Sequence, residues 1–103
     1  MTNMNELVQA VEEWSMNKGL DKADSKAQFT KVVEEVGEVA SALARSDKEL
    51  LQDGIGDVVV TLVILAQQNG MTLEECLNTA YNEIKGRTGK MVNGTFVKSE
   101  DLK

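Results

Sequence analysis

The sequence predicts an all-α domain, four-helix bundle-like, with a short C-terminal hairpin or extended tail. Three observations carry that prediction. No proline interrupts the 103 residues, so nothing in the chain forbids long helices. Apolar residues recur at helical spacing in segment after segment. Three segments open with a hydroxyl residue followed three positions later by Gln or Glu, the capping-box signature.

The first helix is expected over about residues 3–17, with Leu7, Val11 and Trp14 on one face. Lys18-Gly19 is its stop, and a polar loop runs on to Asp24. The second, about 25–45, opens on Ser25-Lys26-Ala27-Gln28 and carries an apolar arc of Phe29, Val32, Val33, Val36, Val39, Ala40 and Leu43. The third, about 47–69, opens on Ser46-Asp47-Lys48-Glu49 and stops at Asn69-Gly70. Its stretch Val58 to Ala66 is apolar nearly all round and so predicts burial on several sides. The fourth, about 72–86, opens on Thr72-Leu73-Glu74-Glu75 and fades at Gly86 or Gly89. In the tail, 90–103, Asn93-Gly94 stands between two β-prone runs and predicts a tight hairpin. One domain spanning 1–103 accounts for this length.

Composition narrows the chemistry. There is no His and a single Cys, Cys76, which excludes a conventional zinc site, a disulfide framework and a His-activated nucleophile. A formal charge of −6 argues against a nucleic-acid partner. Met1 to Glu13 is polar and acidic and does not read as a signal segment, and Ile55 to Ala66 is too short to span a bilayer. These features lead to the expectation of a cytoplasmic protein with no membrane partner.

The acids are patterned. With about 100° per residue and Glu34 as origin, Glu38 lies near 40° and Glu35 near 100°, with Lys31 between them. The apolar arc falls near 140–260°. This puts the three glutamates on a stripe apart from the core-facing one. That stripe reads either as a solvated helix face or as a cation site. On the third helix, Asp53 and Asp57 share a stripe that continues into Val60 and Ile64, which sets Asp57 at the edge of a buried seam. A carboxylate there needs a partner, Arg, Lys or an oxygen-loving divalent cation. Gly54 and Gly56 beside it signal close backbone approach or ligand room on one reading, a kink or tight helix crossing on the other. Trp14 reads as core through its stripe or as a stacking surface for a base, a choice that Phe29 shares.

Glu34-Glu35-Val36-Gly37-Glu38 followed by Asp53-Gly54-Ile55-Gly56-Asp57-Val58 resembles the MazG-like all-α nucleoside triphosphate pyrophosphohydrolases. Lys26-Ala27-Gln28-Phe29 and Asn82-Glu83-Ile84-Lys85-Gly86-Arg87 extend the resemblance over about Glu6 to Lys98. The resemblance implies hydrolysis of the α–β bond of a nucleoside triphosphate, with magnesium as cofactor and manganese as substitute. It implies metal ligation by Glu35, Glu38 and Asp57. The family's fourth acid falls on Gly54, so Asp53 is the expected replacement. Glu34, Glu35, Glu38 and Asp57 are the catalytic candidates. Lys31, Asn82, Lys85, Arg87 and Trp14 are the substrate-binding candidates, with plain surface or core roles as the alternatives. A homodimer or dimer-based tetramer, joined through the apolar third helix, is expected as well. A nucleotide sensor without turnover and a structural oligomerisation module remain open beside the enzyme.

Overall fold

The computed structural model describes residues 2–102. The outer ends of the expected domain, Met1 and Lys103, lie outside the described residues. The elements in order are α1 (Met4–Asn17), a 3-10 turn (Leu20–Lys22), α2 (Ser25–Ala44), α3 (Lys48–Gln68), α4 (Leu73–Ile84), strands β1 (Gly89–Val92) and β2 (Thr95–Lys98), and a last 3-10 turn (Ser99–Asp101). All four expected helices and the hairpin are present. The loop expected after Gly19 contains the first 3-10 turn. Contacts divide the chain into two compact units, one ending at Leu73 and one starting at Glu74.

Two caps differ from the expected boxes. Asp24, not Ser25, caps α2, its carboxylate accepting from the Lys26 N–H at 3.2 Å. Asp47, not Ser46, caps α3 and accepts from Leu50 N–H at 3.0 Å. Ser46 has a φ of 54°, outside the extended region that an N-cap needs. Each aspartate also sets a negative charge at the positive end of the helix dipole. Freed from the box, Gln28 reaches across instead, its Nε2 donating to the Thr61 carbonyl at 3.0 Å.

In the first unit, α2 and α3 make the most extensive helix pair, and α1 and the 3-10 turn pack on α3. The α2 stripe turned inward is Gln28, Val32, Glu35, Val39 and Ala42, all buried or half-buried. This corrects the expected wheel, because Glu35 belongs to the core-facing stripe. Only Val32 and Val39 of the apolar arc turn inward. Phe29, Val33, Val36 and Leu43 are each at least half exposed. Leu7 and Trp14 of α1 are also about half exposed, which corrects the reading of their stripe as core. The α3 core is nearer to expectation, with Val63, Ile64 and Ala66 buried.

At Gly54, α3 packs directly against Val39 of α2. A Cβ built there would stand 3.1 Å from Val39 Cγ2, with Val39 Cα at 3.7 Å. Gln67 and Gln68 tie the lower end of α3 to its neighbours, donating to the carbonyls of Glu12 (3.2 Å) and Leu20 (2.9 Å).

In the second unit, β1 and β2 pair antiparallel with Val92 opposite Thr95. Asn93 and Gly94 have φ of 52° and 82°, the left-handed pair that a two-residue type I′ turn requires. No helix among the described residues is long and apolar enough to cross a membrane.

Candidate metal centre

The acids converge because α2 and α3 run as neighbours with matching faces turned the same way. Glu35 enters from the inward stripe of α2, between Val32 and Val39. Glu38 stands almost one turn further along, at the stripe's edge. Asp57 comes from α3, one turn after Gly54. One carboxylate oxygen from each of Glu35, Glu38 and Asp57 lies within 4.8 Å of the other two. Glu35 and Asp57 are half-buried and Glu38 is exposed. Glu35 Oε2 is buried with no hydrogen-bond partner.

The electrostatics follow from that crowding. Burial comes first in pushing the Glu35 carboxyl above the usual range, then the charges of Glu38 and Asp57, a side-chain hydrogen bond with Glu38, and the charge of Glu34. Asp57 is also raised, by burial first, then by the charge of and a hydrogen bond with Asp53, then by Glu38. Like charges held this closely in a partly dry site favour a cation or a shared proton. Three carboxylates with converging oxygens, on a residue set that also holds the unpartnered Glu35 Oε2, are a donor set that fits a hard divalent cation such as magnesium.

The remaining expected residues sort by place. Asp53 adjoins Asp57 but lies outside the 4.8 Å group. Glu34 is exposed and paired with Lys31 at 3.6 Å, and its charge still reaches Glu35. Asn82, Lys85 and Arg87 are exposed and belong to the second unit. There Arg87 lines a recess of about 360 Å³ with Thr88, Lys98 and Ser99, where the Thr88 and Ser99 hydroxyls meet at 2.7 Å.

Three recesses of the first unit share lining residues. One of about 520 Å³ is bordered by Asp53, Gly56, Asp57 and Val60. Asp53 also borders a recess of about 310 Å³ with Glu38, Ser41 and Arg45. Val60 also borders an apolar groove of about 320 Å³ formed with Leu7, Ala10, Val11 and Trp14. Val60 thus borders both the recess beside Asp57 and the groove that Trp14 lines. The space beside Gly56 is open, with nothing within 4 Å of a Cβ built there. So Gly54 and Gly56 divide the two readings between them, close helix approach at Gly54 and room at Gly56. Arg45 was not singled out by its sequence. Its signal was there, since Glu38, Ser41 and Arg45 recur at three and four residues and share a helix face.

Residues 23–92 match the family profile described as the MazG nucleotide pyrophosphohydrolase domain. The chain belongs to that family. The matched span contains the whole acidic group and most of both units. A relative from Haemophilus phage HP1 (strain HP1c1), described as an uncharacterized 18.2 kDa protein in the rep-hol intergenic region, is 36% identical over 70 residues. That stretch covers 67% of this chain and 43% of the phage protein, so the chain spans less than half of the relative's length. No solved structure matches.

Proposed function

We propose that this MazG-family chain hydrolyses nucleoside triphosphates, ribo- or deoxyribo-, at the α–β bond, releasing a nucleoside monophosphate and pyrophosphate. The observation that carries the reading is the meeting of Glu35, Glu38 and Asp57, one carboxylate oxygen of each within 4.8 Å of the others. Those three residues would hold magnesium, or manganese in its place, with Asp53 as an auxiliary ligand. When bound, the cation screens phosphate charge, polarises the phosphorus centre and acidifies water.

The chain's own residues do the rest. Water adds at phosphorus while pyrophosphate leaves with the bridging oxygen. Glu34 and Glu35 are the two candidates to accept the water's proton. Glu35 lies within the metal group, and Glu34 has oxygens free of it. Trp14 offers a face for the base along the apolar groove. Lys31, Lys85 and Arg87 are cations for phosphate oxygens, and Asn82 is a hydrogen-bond donor to sugar or phosphate. The reading further places the protein in the cytoplasm as one functional domain, a homodimer or dimer-based tetramer, in nucleotide-pool housecleaning.

A second reading, a nucleotide sensor with weak turnover, is favoured by one observation. The family's fourth acid position is Gly54, which packs on Val39 and has no ligating side chain. A panel of NTPs and dNTPs with magnesium, read by pyrophosphate release, separates the two. Turnover that is lost in Glu38→Gln and Asp57→Asn with helicity retained supports the enzyme. Magnesium-dependent nucleotide binding without turnover supports the sensor.

A further inference from the structure

We propose that Arg45 binds the leaving pyrophosphate in the recess it shares with Glu38 and Asp53, so that a nucleotide lies along α3 with its base toward Trp14 and its phosphate tail toward Arg45. The inference deepens the proposed hydrolase and rests on that reading for the identity of the substrate.

The recess, about 310 Å³, is lined by Glu38, Ser41, Arg45, Leu50, Asp53 and Gly54. That volume is at the small end of the ~300–1,000 Å³ typical of ligand sites. Arg45 is the C-cap of α2, and a helical side chain leans back over the turn before its own Cα. This brings Arg45 alongside Ser41 and Glu38, which precede it on the same face. Across the recess, Gly54 adds no side chain to the α3 wall. Among the described residues the ion pairs are Lys31–Glu34 and Lys98–Glu100. The Arg45 guanidinium is in neither, although two carboxylates line the same recess. Its planar fork of donors matches phosphate oxygens.

Position decides what the recess takes. Glu38 belongs both to the acidic group and to this recess. Asp53 also borders the recess beside Asp57, and Val60 borders both that recess and the apolar groove of Trp14. At about 1.5 Å of rise per residue, Val60 and Asp53 stand about 10 Å apart along α3, with Asp57 between them. One end offers apolar walls and an indole, the other a guanidinium and a hydroxyl. With the α-phosphate at the acidic group, only one orientation sets the base on apolar surface and the β- and γ-phosphates beside a cation. Glu38 and Asp53 are offset in the loaded site by the metal they would hold. In the reaction, the water oxygen bonds to the α-phosphorus as the bond from that phosphorus to the bridging oxygen breaks. The electron pair stays on the bridging oxygen, and the water's proton passes to Glu34 or Glu35. Negative charge thus grows on the departing pyrophosphate, where Arg45 stands.

Calorimetric titration of the full chain with magnesium and pyrophosphate, and separately with magnesium and a nucleoside monophosphate, tests this without turnover. Arg45→Ala should weaken pyrophosphate binding about 10–100-fold, the range for hydrogen bonds to a charged group, and leave monophosphate binding unchanged. Arg45→Lys should recover part of the loss, because it keeps the charge without the fork. Lys48→Ala removes a cation at the start of α3, outside the recess, and should change neither affinity. Equal weakening of both ligands by Arg45→Ala, the mark of a merely structural role at the end of α2, overturns the inference. So does pyrophosphate binding that is absent in wild type, indifferent to Arg45→Ala, or weakened as much by Lys48→Ala. A chain that binds pyrophosphate through Arg45 yet releases none from any nucleotide refutes the hydrolase and leaves this site standing. Turnover with Arg45-independent pyrophosphate binding does the reverse.

Discussion

Gly54 packs against Val39, a contact that a double-mutant cycle can measure. Alanine in place of glycine inside a helix gains about 1 kcal/mol from propensity alone. In the wild-type background the new methyl would meet Val39 Cγ2 at 3.1 Å, so Val39 must shift or α2 must move. The next contacts, Val39 Cα at 3.7 Å and N at 3.8 Å, are ordinary. Val39→Ala removes the obstructing methyl and costs about 1–2 kcal/mol through lost burial. Gly54→Ala made in that background should then recover the full ~1 kcal/mol, a rise of about 4–8 °C in Tm. In wild type it should be neutral or destabilising. The expected coupling is at least about 1 kcal/mol, well above the scatter of independent sites. Thermal melts of the four proteins read it. Additivity within about 0.5 kcal/mol would refute the claim that α2 and α3 touch at this point. The same contact sets the spacing of the helices that bear Glu35 and Asp57, so Gly54→Ala should also weaken magnesium binding.

Three further outcomes follow from the same geometry. Asp47→Ala should cost about 1 kcal/mol in a thermal or urea melt, whereas Ser46→Ala should cost far less, since the capping oxygen belongs to Asp47. Glu35 is held above its ordinary value of 4.5, so the folded chain binds more protons than the unfolded one from that value up to the raised one. Metal-free stability contributed by Glu35 is therefore lost as pH rises through this window. In EDTA, Glu35→Gln should gain Tm over wild type as pH rises above the ordinary glutamate value, and a gap that stays flat or shrinks refutes the site's crowding. Trp14 is the sole tryptophan, so nucleotide binding with magnesium should change its fluorescence. Trp14→Ala should raise KM by about tenfold, in line with the loss of one base–aromatic stack.

Helix number, extent and the hairpin were legible in the sequence because they depend on local signals: apolar period, glycine stops and the Asn93-Gly94 turn. The cap residues were not. Ser and Asp stand side by side at 24–25 and 46–47, both are good caps, and only the backbone angles decide between them. Helical periodicity also left open which part of a wide apolar arc turns inward. Seven apolar positions on α2 span two adjacent heptad stripes, and α3 takes the one containing Val32, Glu35 and Val39. The carboxylate on that stripe looked solvated on the wheel because its burial depends on α3, whose position no local signal encodes. Asp57 is half-buried beside the apolar run as expected, although fully buried residues of that run begin only at Val63. The groove at Trp14 has the same origin as the α2 error, an apolar stripe taken for core that stays about half exposed among the described residues.

The most direct measurement is the phosphorus spectrum of the full chain incubated with a panel of nucleoside triphosphates and magnesium. The account predicts monophosphate and pyrophosphate in equal amounts, no diphosphate, no reaction in EDTA, and none with Asp57→Asn at unchanged helicity. Diphosphate with inorganic phosphate, or turnover that survives Asp57→Asn, would contradict it.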